Sequence, residues 1–218
     1  MTSLLSYPWI LTAWLLLAGA SLVTLAVDLR RANPEIAGLM QWVWLLTVAY
    51  SGPLGLALYY WSGRKQIPRD DLWRRACRST AHCYSGCGGG EIAGVLIAAG
   101  LLSLGNLWVA GLSFLLAYVA GFALTAGPLI QEGVATRQAL RDAFITESAS
   151  ITVMEITAIS VDLALAGKAT IAEPLFWNSL IISLSLGFAA AYPVNALLIR
   201  LGVKQGMHDP RAMAAHAH

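Results

Sequence analysis

The residues that invite chemistry crowd into one stretch, Thr80-Ala81-His82-Cys83-Tyr84-Ser85-Gly86-Cys87-Gly88-Gly89-Gly90-Glu91. If it is helical, Cys83, Cys87 and Glu91 recur every fourth residue and line one face, with His82 beside them. Thiolate and imidazole suit copper(I) and zinc, so His82, Cys83, Cys87 and Glu91 form a candidate metal site. Arg74, Arg75 and Arg78 lie just upstream, and together with the positive end of a helix they favour thiolates. Free cysteine is also an ordinary small apolar residue in membrane helices. Two thiols and an imidazole within six residues, however, have no packing reason to cluster. A redox reading stays open, since two thiols four apart offer a disulfide, although the usual redox spacing is C-x-x-C. Cys77, among arginines, is at most an auxiliary thiol.

The glycines of the box do not make a nucleotide-binding turn, because no strand precedes them and the spacing is wrong. Gly86, Gly90 and Gly94 instead repeat every fourth residue, the small-residue pattern that lets two helix backbones approach. Further along, Glu147, Glu155 and Asp162 fall within or at the edge of an apolar run. A carboxylate at bilayer centre costs ~2.5–3.5 kcal/mol on insertion scales and faces a partner, a cavity or an ion. No basic residue occurs between Arg141 and Lys168, so a partner for these acids has to reach in from elsewhere. With Glu91 they read as an ion path of Glu147, Glu155 and Asp162 across the membrane, used by a cation or a proton. Helix capping by Glu147 and interfacial exposure of Asp162 are the competing readings. Asn178 and Asn195 read as interhelical hydrogen-bond formers.

The elements that must carry these groups follow from composition. Of 218 residues, 57% are hydrophobic and 12% charged, which excludes a water-soluble globule, a disordered chain and a nucleic-acid arm. Apolar runs near the ~20-residue crossing length place six transmembrane helices at about 8–27, 38–61, 83–104, 107–130, 146–166 and 174–199. The fold class is therefore all-α, an integral membrane bundle, with residues 1–206 as a single transmembrane domain. The third and fourth helices make a hairpin turning at Ser103-Leu104-Gly105-Asn106. The box then sits at the entrance of the third helix. Gly52-Pro53, Gly127-Pro128 and Tyr192-Pro193 mark one proline in each even-numbered helix, either an internal repeat of bent hairpins or the ordinary frequency of proline in such helices.

Six crossings with the N-terminus inside put eleven Lys and Arg on inner segments and three, Arg30, Arg31 and Lys168, on outer ones. Positive charge is retained inside, so both termini are expected to be cytoplasmic. Residues 207–218 read as a flexible tail whose His208, His216 and His218, with two methionines, offer auxiliary metal capture.

Gly52-Pro53-Leu54-Gly55, the His82-Cys83 and Gly86-Cys87 pair, and Tyr192-Pro193-Val194-Asn195 with Gly202-Val203-Lys204 carry a resemblance. Over roughly residues 50–207 the chain resembles a bacterial multi-pass membrane family of unknown function, in which a His-Cys-x-x-Gly-Cys box opens a spanning helix. Relatives carry Gly-Asp after the second cysteine, whereas here Gly88-Gly89-Gly90-Glu91 displaces the acid. The resemblance implies a place in a bacterial inner membrane and a connection with copper. The expected function is a permease or metal-binding membrane protein for a soft cation, copper(I) or zinc, rather than an enzyme. The alternatives are a thiol-disulfide oxidoreductase using Cys83 and Cys87, and a scaffold for a soluble metalloenzyme. Expected partners are the lipid bilayer, a soluble metallochaperone or metalloenzyme and a second copy of the chain, with no nucleic acid.

Overall fold

The computed structural model describes residues 2–167 and 169–215. Among the described residues every regular element is helical: α1 (Thr2–Leu5), α2 (Pro8–Arg31), α3 (Gly38–Leu58), α4 (Leu72–Val95), α5 (Asn106–Gln131), α6 (Thr136–Leu165), α7 (Pro174–Arg200) and α8 (Pro210–Ala215). Wide π-type turns extend α3 over Tyr59–Gly63 and α4 over Leu96–Leu101. Five helices, α2, α3 with its extension, α5, α6 and α7, are long and apolar enough to cross a membrane. The sixth long helix, α4, is too polar to read as a lipid-facing span, and sixteen of its 24 residues are buried. Polar side chains that lipid would not solvate are tolerated there because α4 is surrounded by the others.

Small residues set the packing. A Cβ on Gly86 would stand 3.1 Å from Gly121, one on Gly90 would fall on the Leu116 carbonyl, and one on Gly94 would lie 2.5 Å from the Ser113 Cα. The glycine repeat thus forms the antiparallel seam between α4 and α5, as its spacing suggests. The two helices meet through a turn where Ser103 takes φ 51°.

Two expectations change. First, α4 begins at Leu72, capped by the Asp71 side chain accepting from the Arg74 N–H at 3.0 Å, so the box begins ten residues into the helix rather than at its entrance. The arginines upstream are engaged elsewhere: Arg74 with Asp71 and the Trp61 carbonyl, Arg78 with Asp70 and the Ser62 and Met207 carbonyls. The helix-end field fades within the first turn, so it does not reach Cys83.

Second, α3 is not a straight span. Gly52 has φ 53° and ψ −127°, and the chain reverses there. A Cβ on Gly55 would stand 2.8 Å from the Thr47 carbonyl, one on Gly63 would fall on the Trp44 indole, and Trp44 and Tyr59 rings meet edge to face at 5.4 Å. Positive φ is open to glycine at low cost, and Pro53 donates no backbone hydrogen bond, so the break leaves fewer groups to satisfy. The result is a re-entrant helical hairpin with its tip against Trp14 and Ala18. Pro128 and Pro193 stay within continuous helices, so the three proline sites are not equivalent.

The reversal decides which ends meet. The Asp28 carboxylate near the end of α2 accepts from Tyr59 at 2.7 Å and pairs with Arg64 at 3.8 Å, and Lys65 pairs with Glu35 at 2.8 Å. The end of α2, both ends of α3, the start of α4 and the segment after α7 therefore gather at one end of the bundle, hereafter the basic end. At the opposite, far end, the Asn178 side chain near the start of α7 donates to the Leu5 carbonyl at 2.8 Å. Among the described residues, α1 and the segment after α7 consequently stand at opposite ends of the bundle. Thirteen of the fourteen Lys and Arg fall at the basic end; the remaining one, Lys168, lies outside the described residues.

Candidate functional site

The site is built on the parallel pair α4 and α6, each running from the basic end outward. Cys83 and Cys87, one turn apart on α4, bring their sulfurs to 3.9 Å, and both are buried. The Cys83 sulfur is 4.0 Å from the Ser150 hydroxyl of α6, which in turn donates to the Glu147 carbonyl at 3.0 Å. Cys77 is buried too, and all three cysteines are free thiols.

The acids fall in a row. Glu147, Glu155 and Asp162 recur along α6 over fifteen residues, ~22 Å of helix. Glu155 is fully buried, and neither of its carboxyl oxygens has a hydrogen-bond partner. Its electrostatic neighbours are Glu91 and Cys83. Glu91, 3% exposed, likewise has one oxygen without a hydrogen-bond partner and has Asp162 as its electrostatic neighbour. Asp162 accepts from Ser179 at 2.6 Å. Glu91 and Asp162 line a cavity of about 450 Å³ whose rim at the far end carries Leu104, Asn106 and Gly167. Glu147 lies well inside α6 and is not a capping residue.

Glu147 has the partner that had to come from elsewhere. The Lys204 ammonium donates to its carboxylate at 2.7 Å and to the Asn195 side-chain carbonyl at 3.0 Å, while the Asn195 amide donates to the Thr80 hydroxyl at 3.2 Å. Asn195 is thus part of a buried charge network as well as a link between helices. Asn178 links α7 to the N-terminal segment. In the sequence, Lys204 is marked by its place between Gly202 and Gly206 after the last apolar run and by the Gly202-Val203-Lys204 stretch that carries part of the family resemblance; in the structure both glycines take positive φ. Ser150 has no such sign.

The structure puts Cys83 and Cys87 in contact, links Cys83 through Ser150 to the turn of Glu147, sets Glu91 and Asp162 on one cavity, and leaves Glu155 buried within electrostatic reach of Cys83 and Glu91. It does not bring His82 into that group. His82 is buried with Lys204 as its electrostatic neighbour, and its Nδ1 has no hydrogen-bond partner. Among the described residues no three His, Cys, Asp or Glu converge on a point that could hold a metal ion. The four-donor set His82, Cys83, Cys87 and Glu91 is therefore not preassembled. What remains together is the pair of sulfurs of Cys83 and Cys87. The 3.9 Å between them is the separation of an S–H···S contact between two thiols. A disulfide fits less well, since it needs Cβ atoms ~3.5–4.5 Å apart and helical i, i+4 positions hold them ~5–6 Å apart.

The tail is less free than its composition suggests. The Met207 N–H donates to the Ser79 hydroxyl at 3.1 Å, and Arg78 donates to the Met207 carbonyl at 3.2 Å. His208 is exposed at the basic end, beside Asp70 and Arg75. His216 and His218 lie outside the described residues.

No curated protein and no solved structure matches the chain. Residues 72–204 match DUF4396, a domain of unknown function, and that stretch runs from the first residue of α4 to the buried lysine. With more than half of its length inside this match, the chain belongs to the DUF4396 family.

Proposed function

We propose that this protein is a bacterial inner-membrane permease, or metal-binding membrane protein, for a soft or borderline transition-metal cation, copper(I) first. The observation that carries the reading is the buried sulfur pair 3.9 Å apart, beside the unpartnered carboxyl of Glu155. Thiolates select copper(I) over harder ions, and a buried acid without a partner in a membrane helix is the usual mark of an ion or proton pathway. The cation enters the two-sulfur site at Cys83 and Cys87. Glu155, Glu91 and Asp162 then carry it, or a coupled proton, to the cavity at the far end.

The orientation follows from charge. With thirteen basic residues at one end, that end faces the cytoplasm. Five helices, α2, α4, α5, α6 and α7, cross the bilayer, α3 enters and returns, the C-terminus is cytoplasmic and the N-terminus is on the outer face. Exposed His208 lies on the cytoplasmic side, where a soluble metallochaperone would deliver or collect the ion.

The test is copper(I) binding by purified protein in competition with a chromogenic chelator. Wild type is expected to hold copper tightly, and the Cys83→Ser/Cys87→Ser variant to lose that binding; unchanged binding removes the thiols from the site. In proteoliposomes Glu155→Gln should lower flux at least tenfold with binding retained. Full flux through that variant defeats the route.

A further inference from the structure

The acids of the route reach a cavity that opens at the far end. The basic end of the same route is occupied by a side chain. After α7, Gly202 at φ 73° and Gly206 at φ 78° turn the chain back into the bundle, and Lys204 between them is 5% exposed. Its ammonium is held by the Glu147 carboxylate and the Asn195 carbonyl. Glu147 precedes Ser150 by one turn, and Ser150 adjoins Cys83, so the ammonium stands next to the thiol pair on its cytoplasmic side. His82 is buried one residue before Cys83 and within electrostatic reach of Lys204.

We infer that Lys204 is a tethered cation that plugs the cytoplasmic mouth of the route, filling an oxygen site of Glu147 and Asn195 that a free cation takes over when the plug withdraws. Three observations support it. The ammonium has the charge and the oxygen ligands that a cation in transit would have there. Its carrier is not a transmembrane helix but a short segment between two glycines, fastened by Ser79 and Arg78 to Met207. Finally, a buried ion pair is seldom more stabilising than an apolar pair of the same volume, so stability alone gives little reason to bring a lysine here.

The inference rests on the thiol pair being the loading point, but its test needs no metal. Full-length protein in inside-out vesicles is treated with a small cationic methanethiosulfonate, and modification of Cys83, Cys87 and Cys77 is followed by peptide mass spectrometry. Wild type and Lys204→Arg, which keeps the cation, should react slowly at Cys83. The neutral double variant Lys204→Met/Glu147→Gln, which leaves no orphaned charge, should react at least tenfold faster at Cys83, with Cys77 as slow as in wild type. Equal Cys83 rates in a double variant that elutes as a folded species and retains a cooperative melt overturn the plug. Copper binding by the wild type is scored separately. Loss of that reading with fast labelling leaves the plug standing, and copper binding with unchanged labelling removes the plug alone.

Discussion

Gly63 lies directly against the indole of Trp44, nineteen positions upstream on the same element. In an unbroken helix those residues would be ~28 Å apart. The contact means that α3 enters and leaves at one end of the bundle, which sets the segments before Gly38 and after Gly63 at that same end.

Single cysteines introduced at Gly38 and Arg69, before and after the re-entrant hairpin, should be labelled by an impermeant maleimide from the same face of the membrane. Cysteines at Leu4 and Val203 should be labelled from opposite faces. All four positions are open to solvent or lipid, and the native thiols are buried. A through-going α3 gives the reverse pattern for the first pair.

The α4–α5 seam has no room at Gly90, where an added Cβ falls on the Leu116 carbonyl, while Gly111 on the outer side of α5 has nothing within 4 Å. Overpacking of this kind costs about 1–3 kcal/mol. Gly90→Ala should lower the thermal midpoint in detergent, and Gly111→Ala should leave it unchanged or raise it. Equal midpoints would show that the seam is looser than the backbone spacing requires.

Removing one partner of the Lys204–Glu147 pair, 5% and 2% exposed, leaves the other buried and unmatched. Such a loss typically costs about 3–5 kcal/mol. Lys204→Met and Glu147→Gln should each destabilise the protein more than the double variant does, a pattern that a thermal-shift cycle reads directly. Additive losses would mean that the two groups do not depend on each other.

The start of α4 carries a pH-sensitive cap. The Arg74 N–H donating to Asp71, reinforced by the Arg74 and Arg69 charges, holds the Asp71 carboxyl below its ordinary range. Its contribution is therefore complete above the unfolded value, ~3.9, and is lost as pH falls through the lower native value. Asp71→Ala should cost about 1 kcal/mol at neutral pH. The gap between variant and wild type should close only below about pH 4; a gap that closes between pH 5 and 7 assigns the effect to another group.

Much of the site was legible in the chain. The four-residue spacing of Cys83, Cys87 and Glu91 predicts one helical face, and the thiols do meet on it. The Gly86, Gly90 and Gly94 repeat predicts close contact with a second helix, and α5 supplies it. His82 shares the stretch but not the group, because one residue along a helix turns a side chain ~100° away. The box lies deeper in α4 than the apolar run indicates, because the polar first turns of α4 carry no apolar signal and a helix buried among others needs none.

Composition and a 3.6-residue period settle what is local: helices long and apolar enough to cross a membrane, and the faces on which sulfurs, acids and glycines fall. Only the folded chain shows that Gly52-Pro53 reverses its direction instead of bending it, because the reversal needs Trp14 and Ala18 of α2 against the break and Trp44 against the returning Gly63. It alone also supplied Lys204 to Glu147, across 57 residues. A charge partner at that separation leaves no periodic trace, and only the folded path of the chain brings the two together.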